Sequence, residues 1–149
     1  MALNQNTTAI SLHPNHLKGL IYAVDGLYGD TECKKISKLF ATIGVGSNPT
    51  AWFRINFGDW KHVQFVEIHN RITLDVSLMK RLSNTKVYVY GETPTDNRRL
   101  CGEIVDGVNK VHYMVCKNQP LLGKGIELFQ HDIGINRALN LCEVVVLGY

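Results

Sequence analysis

The stretch AWFRINFGDWKHVQFVEIHNR, from Ala51 to Arg71, decides the fold class. In AWFRINF the apolar Phe53, Ile55 and Phe57 alternate with Arg54 and Asn56, the period of two that sends successive side chains to opposite faces of a pleated strand. Gly58-Asp59 is a turn pair that closes this run. VQFVEIHN alternates again, with Phe65, Glu67 and His69 on one parity and Val63, Val66 and Ile68 largely on the other. Outward from this block, TKVYVYGE, KVHYMVC, GIELFQ and LCEVVVLGY are further short strand-forming runs. Five or six strands at this spacing, with no helical period of 3.6, predict an all-β antiparallel sandwich or barrel. The segment before Trp52 is rich in Gly, Asn, Asp and Pro, which favour turns, and only KKISKLFAT could make a short helix. Long loops on a β scaffold are where binding groups collect, so this half is the functional suspect.

The 149 residues fit one domain, 1–149, and are enough to enclose a real core. Hydrophobic residues make up 45% and charged residues 19%, the balance of a soluble globular chain, and no run approaches the roughly 18 apolar residues that span a bilayer. The net charge of +3 comes from scattered pairs such as Lys34-Lys35, Lys80-Arg81 and Arg98-Arg99. Nucleic-acid binding needs a contiguous basic face and is not expected.

Four cysteines, Cys33, Cys101, Cys116 and Cys142, are dispersed and contain no CxxC pair. Two disulfides in an oxidising compartment are the better reading, four free thiols in a cytosolic core the competing one, and the spacing does not choose among the three possible pairings. The sequon Asn6-Thr7-Thr8 agrees with secretion, although the opening ALNQNTT has neither the basic start nor the apolar stretch of an export signal. An excised mature domain with an added initiator Met is the expectation.

No catalytic pattern is present: GxSxG, HExxH and a phosphate-cradling glycine loop are all missing from the sequence. The chain is expected not to be an enzyme. His13 and His16 are three apart, but Pro14 and Asn15 between them favour a solvated turn over a metal pair. Val24 to Asp30, VDGLYGD, mixes carboxylates with loop carbonyls in the way hard cations prefer, without the spacing of an EF-hand. Arg71 and Arg81 flank ITLDVSLMK, read as a loop between strands, where guanidinium groups could hold sugar hydroxyls or carboxylates. Finally, Glu143 stands among Leu139, Leu141, Val144, Val145, Val146 and Leu147. A bare charge there would cost several kcal/mol unless paired or bound to a cation.

Several of these stretches together resemble the F-type lectins, the fucose-binding branch of the discoidin-like (coagulation factor type C) domains. ALNQNTTAIS is similar to the family's start, YAVDG to its AVDG turn, NPTAWFRINFGDWKHVQFVEIHNR to its central block and LNLCEVVVLGY to its LCEVEV ending. RLSNTKVYVYG, the Cys101 to Cys116 segment and GKGIELF fall between them in the expected order. The resemblance covers nearly the whole chain and implies a jelly-roll-like β-sandwich with its variable loops gathered at one end as the ligand site.

It also implies disulfides Cys33–Cys142 and Cys101–Cys116. A structural calcium is implied by Asp25, matching the carboxylate of the turn, and by Glu143, matching the terminal Glu. Tyr22, Leu27, Glu32 and Cys142 would complete that set largely through main-chain carbonyls. Tyr22 and Leu27 stand where the family prefers Asn, and Glu32 where it often has Ser. For the sugar, Arg71 and Arg81 match the two family arginines and Lys35 takes the place of its His, without the adjacent cysteine pair that packs against fucose in many members. The expectation is an extracellular recognition domain for a fucosylated or anionic glycan. The alternative is a protein-interaction or adhesion module that kept the scaffold. Membrane contact would be confined to apolar loop tips, with Leu39-Phe40 and Leu78-Met79 as candidates.

Overall fold

The computed structural model describes residues 5–9, 19–27, 33, 41–43, 50–116, 120–131 and 138–149. Its strands are β1 (Asn6–Ala9), β2 (Ala41–Ile43), β3 (Ala51–His69), β4 (Thr85–Tyr90), β5 (Arg99–Ile104), β6 (Val111–Val115), β7 (Leu121–Gln130), β8 (Leu139–Leu141) and β9 (Glu143–Gly148). One helical turn, α1 (Val76–Met79), and 3-10 turns at Ile21–Ala23 and Lys80–Leu82 lie between them. Every strand pairing is antiparallel. The predicted β-sandwich is the observed fold.

Strand β3 is the axis of the molecule. Where the sequence suggests two runs separated by a turn, a single strand of 19 residues passes through two irregularities. At the first, Phe57 to Trp60 stand opposite Lys124 alone, because Asn56 pairs with Gly125 and Lys61 with Gly123. Gly58 there has φ +79, the left-handed region that a side chain disfavours, so the glycine that looks like a turn former serves a bulge instead. At the second, Val63 pairs with Gly148 and Phe65 with Leu147, leaving Gln64 as the extra residue. One extra residue reverses the parity of everything after it. That is why Phe53, Ile55, Phe57 and Val63 are buried on odd positions, but Val66 and Ile68 on even ones.

The two parts of β3 belong to two leaves. Its first part pairs with β1 and β7, and β7 continues through β4 to the edge strand β5. Its last part pairs with β6 on one side and β9 on the other. Phe53, Ile55, Ile126, Leu128, Val87 and Val89 from the first leaf and Ile68, Met114, Val144 and Val146 from the second meet in one core cluster. Full burial of each such side chain contributes about 1.5–3 kcal/mol, so this shared face is the main source of stability.

Both disulfides expected from the resemblance are formed. Cys101–Cys116 joins β5 to the end of β6, linking the free edges of the two leaves, and Cys33–Cys142 ties the early loop to the start of β9. β5 was not foreseen: RLCGEI carries little β-branched or alternating apolar character, and its strand conformation is set by pairing with β4. Most of the short helix suggested for KKISKLFAT lies outside the described residues, and its end, Ala41 and Thr42, is the start of β2.

Candidate functional site: a loop end with two guanidiniums and a carboxylate pair

Arg71 follows directly from β3 and is held from both sides. The Cys142 amide donates to the His69 carbonyl at 3.0 Å, and the Ile72 amide donates to the Cys33 carbonyl at 2.7 Å. The Cys33–Cys142 bridge therefore lies against the chain on either side of Arg71. Asn70, 1% exposed, donates its side-chain amide to the carbonyls of Met79 (3.1 Å) and Gly107 (2.6 Å), which pins the far end of the next loop back onto β3.

That loop is more ordered than the sequence suggests. The Asp75 carboxylate accepts from the Ser77 amide at 2.9 Å and the Ser77 hydroxyl at 2.6 Å, capping α1, which runs into the 3-10 turn Lys80–Leu82. Gln130 at the end of β7 then donates to the Arg81 carbonyl at 2.6 Å and the Ser83 carbonyl at 3.0 Å. Met79, suggested as half of an apolar tip, is buried; the exposed apolar residues of this loop are Leu74 and Val76.

The structure brings Arg71 and Arg81 into one electrostatic group. Burial pushes the Arg71 guanidinium below its usual range, the positive charge of Arg81 pushes in the same direction, and Asp75 opposes both. Asp75 is itself held below the usual carboxylate range, first by the Ser77 hydroxyl and also by Arg81. Arg71, Arg81 and Asp75 thus form one charged group in which two guanidiniums outnumber one carboxylate. Lys35, expected beside them, lies outside the described residues.

The second half of the loop end is acidic. The 3-10 turn Ile21–Ala23 packs against β9 and delivers Asp25 to Glu143. Asp25 folds back to accept from the Leu27 amide at 2.9 Å, and the Gly26 amide donates to Glu143 Oε2 at 3.3 Å. Glu143 is 2% exposed, and its pKa is raised to about 8, chiefly by burial and further by the negative charge of Asp25. Of the other residues expected there, Cys142 is buried in its disulfide, Tyr22 is half-buried, Leu27 is exposed and Glu32 lies outside the described residues. Among the described residues, no third His, Cys, Asp or Glu joins the pair.

Solved structures share this fold. A Streptococcus pneumoniae fucose-binding module is matched at 21% identity over 99% of this chain and 96% of its own, with a TM-score of 0.77. The fold is that of the F-type lectins. The serum fucolectin of the striped bass, Morone saxatilis, itself an F-type lectin, is matched at 20% identity and a TM-score of 0.78 over 99% of this chain, which spans about half of that longer protein (48%). The lectin domain of lectinolysin, solved with the Lewis B antigen, is matched at 19% identity over 99% of this chain and 95% of its own, with a TM-score of 0.76. No family model and no curated protein matches the sequence. At these identities the shared property is the F-type lectin fold, and the neighbours that display it are carbohydrate-binding modules.

Two residues that organise the site escaped the sequence reading. Asn70 and Gln130 act through side chain to backbone hydrogen bonds across 9 and 37 residues and across 49 and 47 residues, respectively. No local pattern encodes such partners. The only hint was their place at the ends of strands, where a polar residue closes an apolar run.

Proposed function

We propose that the chain is a non-catalytic, extracellular glycan-recognition domain whose ligand is held by Arg71 and Arg81, with Lys35 as the third cation. The observation that carries this reading is a buried Arg71, held beside the Cys33–Cys142 bridge, at the same loop mouth as Arg81. A guanidinium already desolvated by the protein loses little further hydration on binding, and its planar fork can hold two hydroxyl or carboxylate oxygens at once. The fucose-binding module and the Lewis B complex among the structural neighbours support a fucosylated ligand; the charge of the site supports an anionic one. Two cystines suit an oxidising compartment, and among the described residues no helix is long and apolar enough to cross a membrane.

Calcium belongs to the same reading. Asp25 and Glu143 supply two carboxylates beside an irregular loop, and a buried carboxylate facing another gains more from a divalent cation than from the amides of Asp25 and Gly26. The ion would lock the Asp25 turn to the start of β9 and take no part in any reaction.

The test is a glycan array carrying fucosylated, sulfated and sialylated oligosaccharides. Binding to at least one class is expected, and Arg71→Ala with Arg81→Ala should weaken it by about a hundredfold, since each charge-assisted hydrogen bond contributes about 1.5–3 kcal/mol. Silence across the array, or binding indifferent to both substitutions, would leave a protein-interaction or adhesion module as the better description. Leu74 and Val76, exposed on the same loop, give that alternative its contact surface.

A further inference from the structure

The opposite end of the sandwich carries a cavity that the arginine loop does not account for. β4 and β7 are antiparallel, so the ends that leave the Arg81 region together, Tyr90 and Leu121, reach the other pole, where they meet the first bulge of β3. There Trp60, Glu92, Asp96, Asn97, Arg99 and Leu122 line a recess of about 460 Å³. Its size lies within the usual range for small-molecule sites, and every lining residue is far along the strands from Arg71.

Each part of the recess has a local cause. The bulge turns Trp60 outward, leaving its indole 47% exposed, against the backbone of Gly91. Lys124, the residue opposite the bulge, sits 5.7 Å from the indole centroid and bonds Glu92 at 2.9 Å. Arg99 donates to the Leu122 carbonyl, which holds β5 to the start of β7. Arg98 also lines the recess, lies over Tyr88 and reaches Glu127. The turn is closed by the Asp96 amide donating to the Thr93 carbonyl at 3.1 Å, with Asn97 in the left-handed region at φ 48.

The charges here balance. Glu92 has Lys124 and Arg98 has Glu127, and the two charges left, Asp96 and Arg99, are opposite in sign, so the recess has no net charge to select an ion. What it presents is an aromatic ring beside the Asp96 carboxylate, the Asn97 amide and the remaining donors of Arg99. That combination suits a flat, uncharged ring carrying hydroxyls, with its C–H face on the indole and its oxygens toward the polar rim.

The geometry points to a second saccharide subsite at this pole, with Trp60 as the stacking platform and Asp96 and Asn97 as hydroxyl partners. A single chain would then hold two sugars at opposite ends, and linking two weak sites raises avidity without new contacts.

The experiment follows the indole N–H resonances of Trp52 and Trp60 while the chain is titrated with L-fucose, D-galactose, N-acetyl-D-glucosamine and their neutral dimers. For at least one probe the Trp60 signal should shift saturably. That shift should persist when Arg71 and Arg81 are both alanine, and its affinity should fall by about tenfold in Asp96→Ala, the size of one lost hydrogen bond. Trp60→Ala should remove the corresponding binding in calorimetry, with Trp60→Leu keeping an apolar filler as a control for folding. No Trp60 shift with any probe overturns the subsite, and so does a shift that disappears with the two arginines. Because the arginine variants are read separately, failure at this pole is distinguishable from failure at the other.

Discussion

Two carboxylates are almost equally hidden, and the protein treats them in opposite ways. Glu127 on β7 is 1% exposed, with Arg54 at 3.6 Å and Arg98 at 3.4 Å; Arg54 in turn stacks on Trp52 at 3.8 Å and Arg98 on Tyr88 at 4.4 Å. Glu143 on β9 is 2% exposed and meets the backbone amides of Asp25 and Gly26 and a second carboxylate. The first charge is neutralised inside the sheet by cross-strand neighbours, since Arg54 and Glu127 are directly paired in register. The second is raised to about 8, with no cation among the described side chains beside it and the Asp25 carboxylate hydrogen-bonded to it. A buried carboxylate that faces cations of the fold is structural even with Oε2 left without a hydrogen bond, whereas one that faces a second carboxylate marks a place for a cation from outside.

The largest expected effect tests whether Glu143 depends on its staple. Replacing Cys33 and Cys142 by alanine opens a loop of 109 residues and should destabilise by nearly 5 kcal/mol on the chain-entropy estimate, against about 3 kcal/mol for the 15-residue loop of Cys101 and Cys116. Denaturant unfolding of the two double variants measures the difference. Only the first should also abolish stabilisation by calcium, because it alone frees the start of β9 from the early loop. Equal loss of the calcium response in both would detach Glu143 from that staple.

The next effect strands Glu127. Arg54→Ala with Arg98→Ala leaves Glu127 buried without a cation, which should cost about 3–5 kcal/mol in chemical unfolding. Glu127→Gln in that background should recover much of the loss, since it removes the stranded charge. If the double variant is as stable as the parent, Glu127 is being solvated in some other way and its contrast with Glu143 is lost.

How much of this was legible in the sequence follows from the range of each cause. The odd burial of Phe53, Ile55 and Phe57 is a local alternation and could be read directly. The alternation of Val66 and Ile68 could be read too, but the cause of their change of parity, the extra residue Gln64, shows only in the pairing with β9, as the continuation of β3 through Gly58 shows only in the pairing with β7. Glu143 was conspicuous as a charge among valines, and its pairing with Asp25 was implied by the resemblance and is observed as an interaction across 118 residues. Arg71 and Arg81 stood out as residue types at a loop mouth. Their coupling depends on Asn70 and Gln130, whose backbone partners are tertiary. Trp60 stands between the two runs that the sequence shows, and only the bulge makes it an outward-facing ring.

The effect that is smallest per step of the titration is also the most discriminating, because it reads the sign of a slope. Glu143 titrates near 8 in the folded chain and near 4.5 when unfolded, so its contribution to stability is fully present below 4.5 and is lost as pH rises through 8. In calcium-free buffer, stability should therefore fall across that window, by at most roughly 1.4 kcal/mol per pH unit. Glu143→Gln should flatten the fall, as an amide has no proton to lose. Calcium must displace that proton to bind, so its stabilisation should grow with pH over the same window and offset the decline. The same titration of Glu127→Gln should leave both the slope and the calcium response as in the parent. Thermal unfolding with calcium and with chelator across the window gives both slopes. A calcium-independent slope would mean that Glu143 is a strained structural acid, and the asymmetry between the two carboxylates would then reflect packing alone.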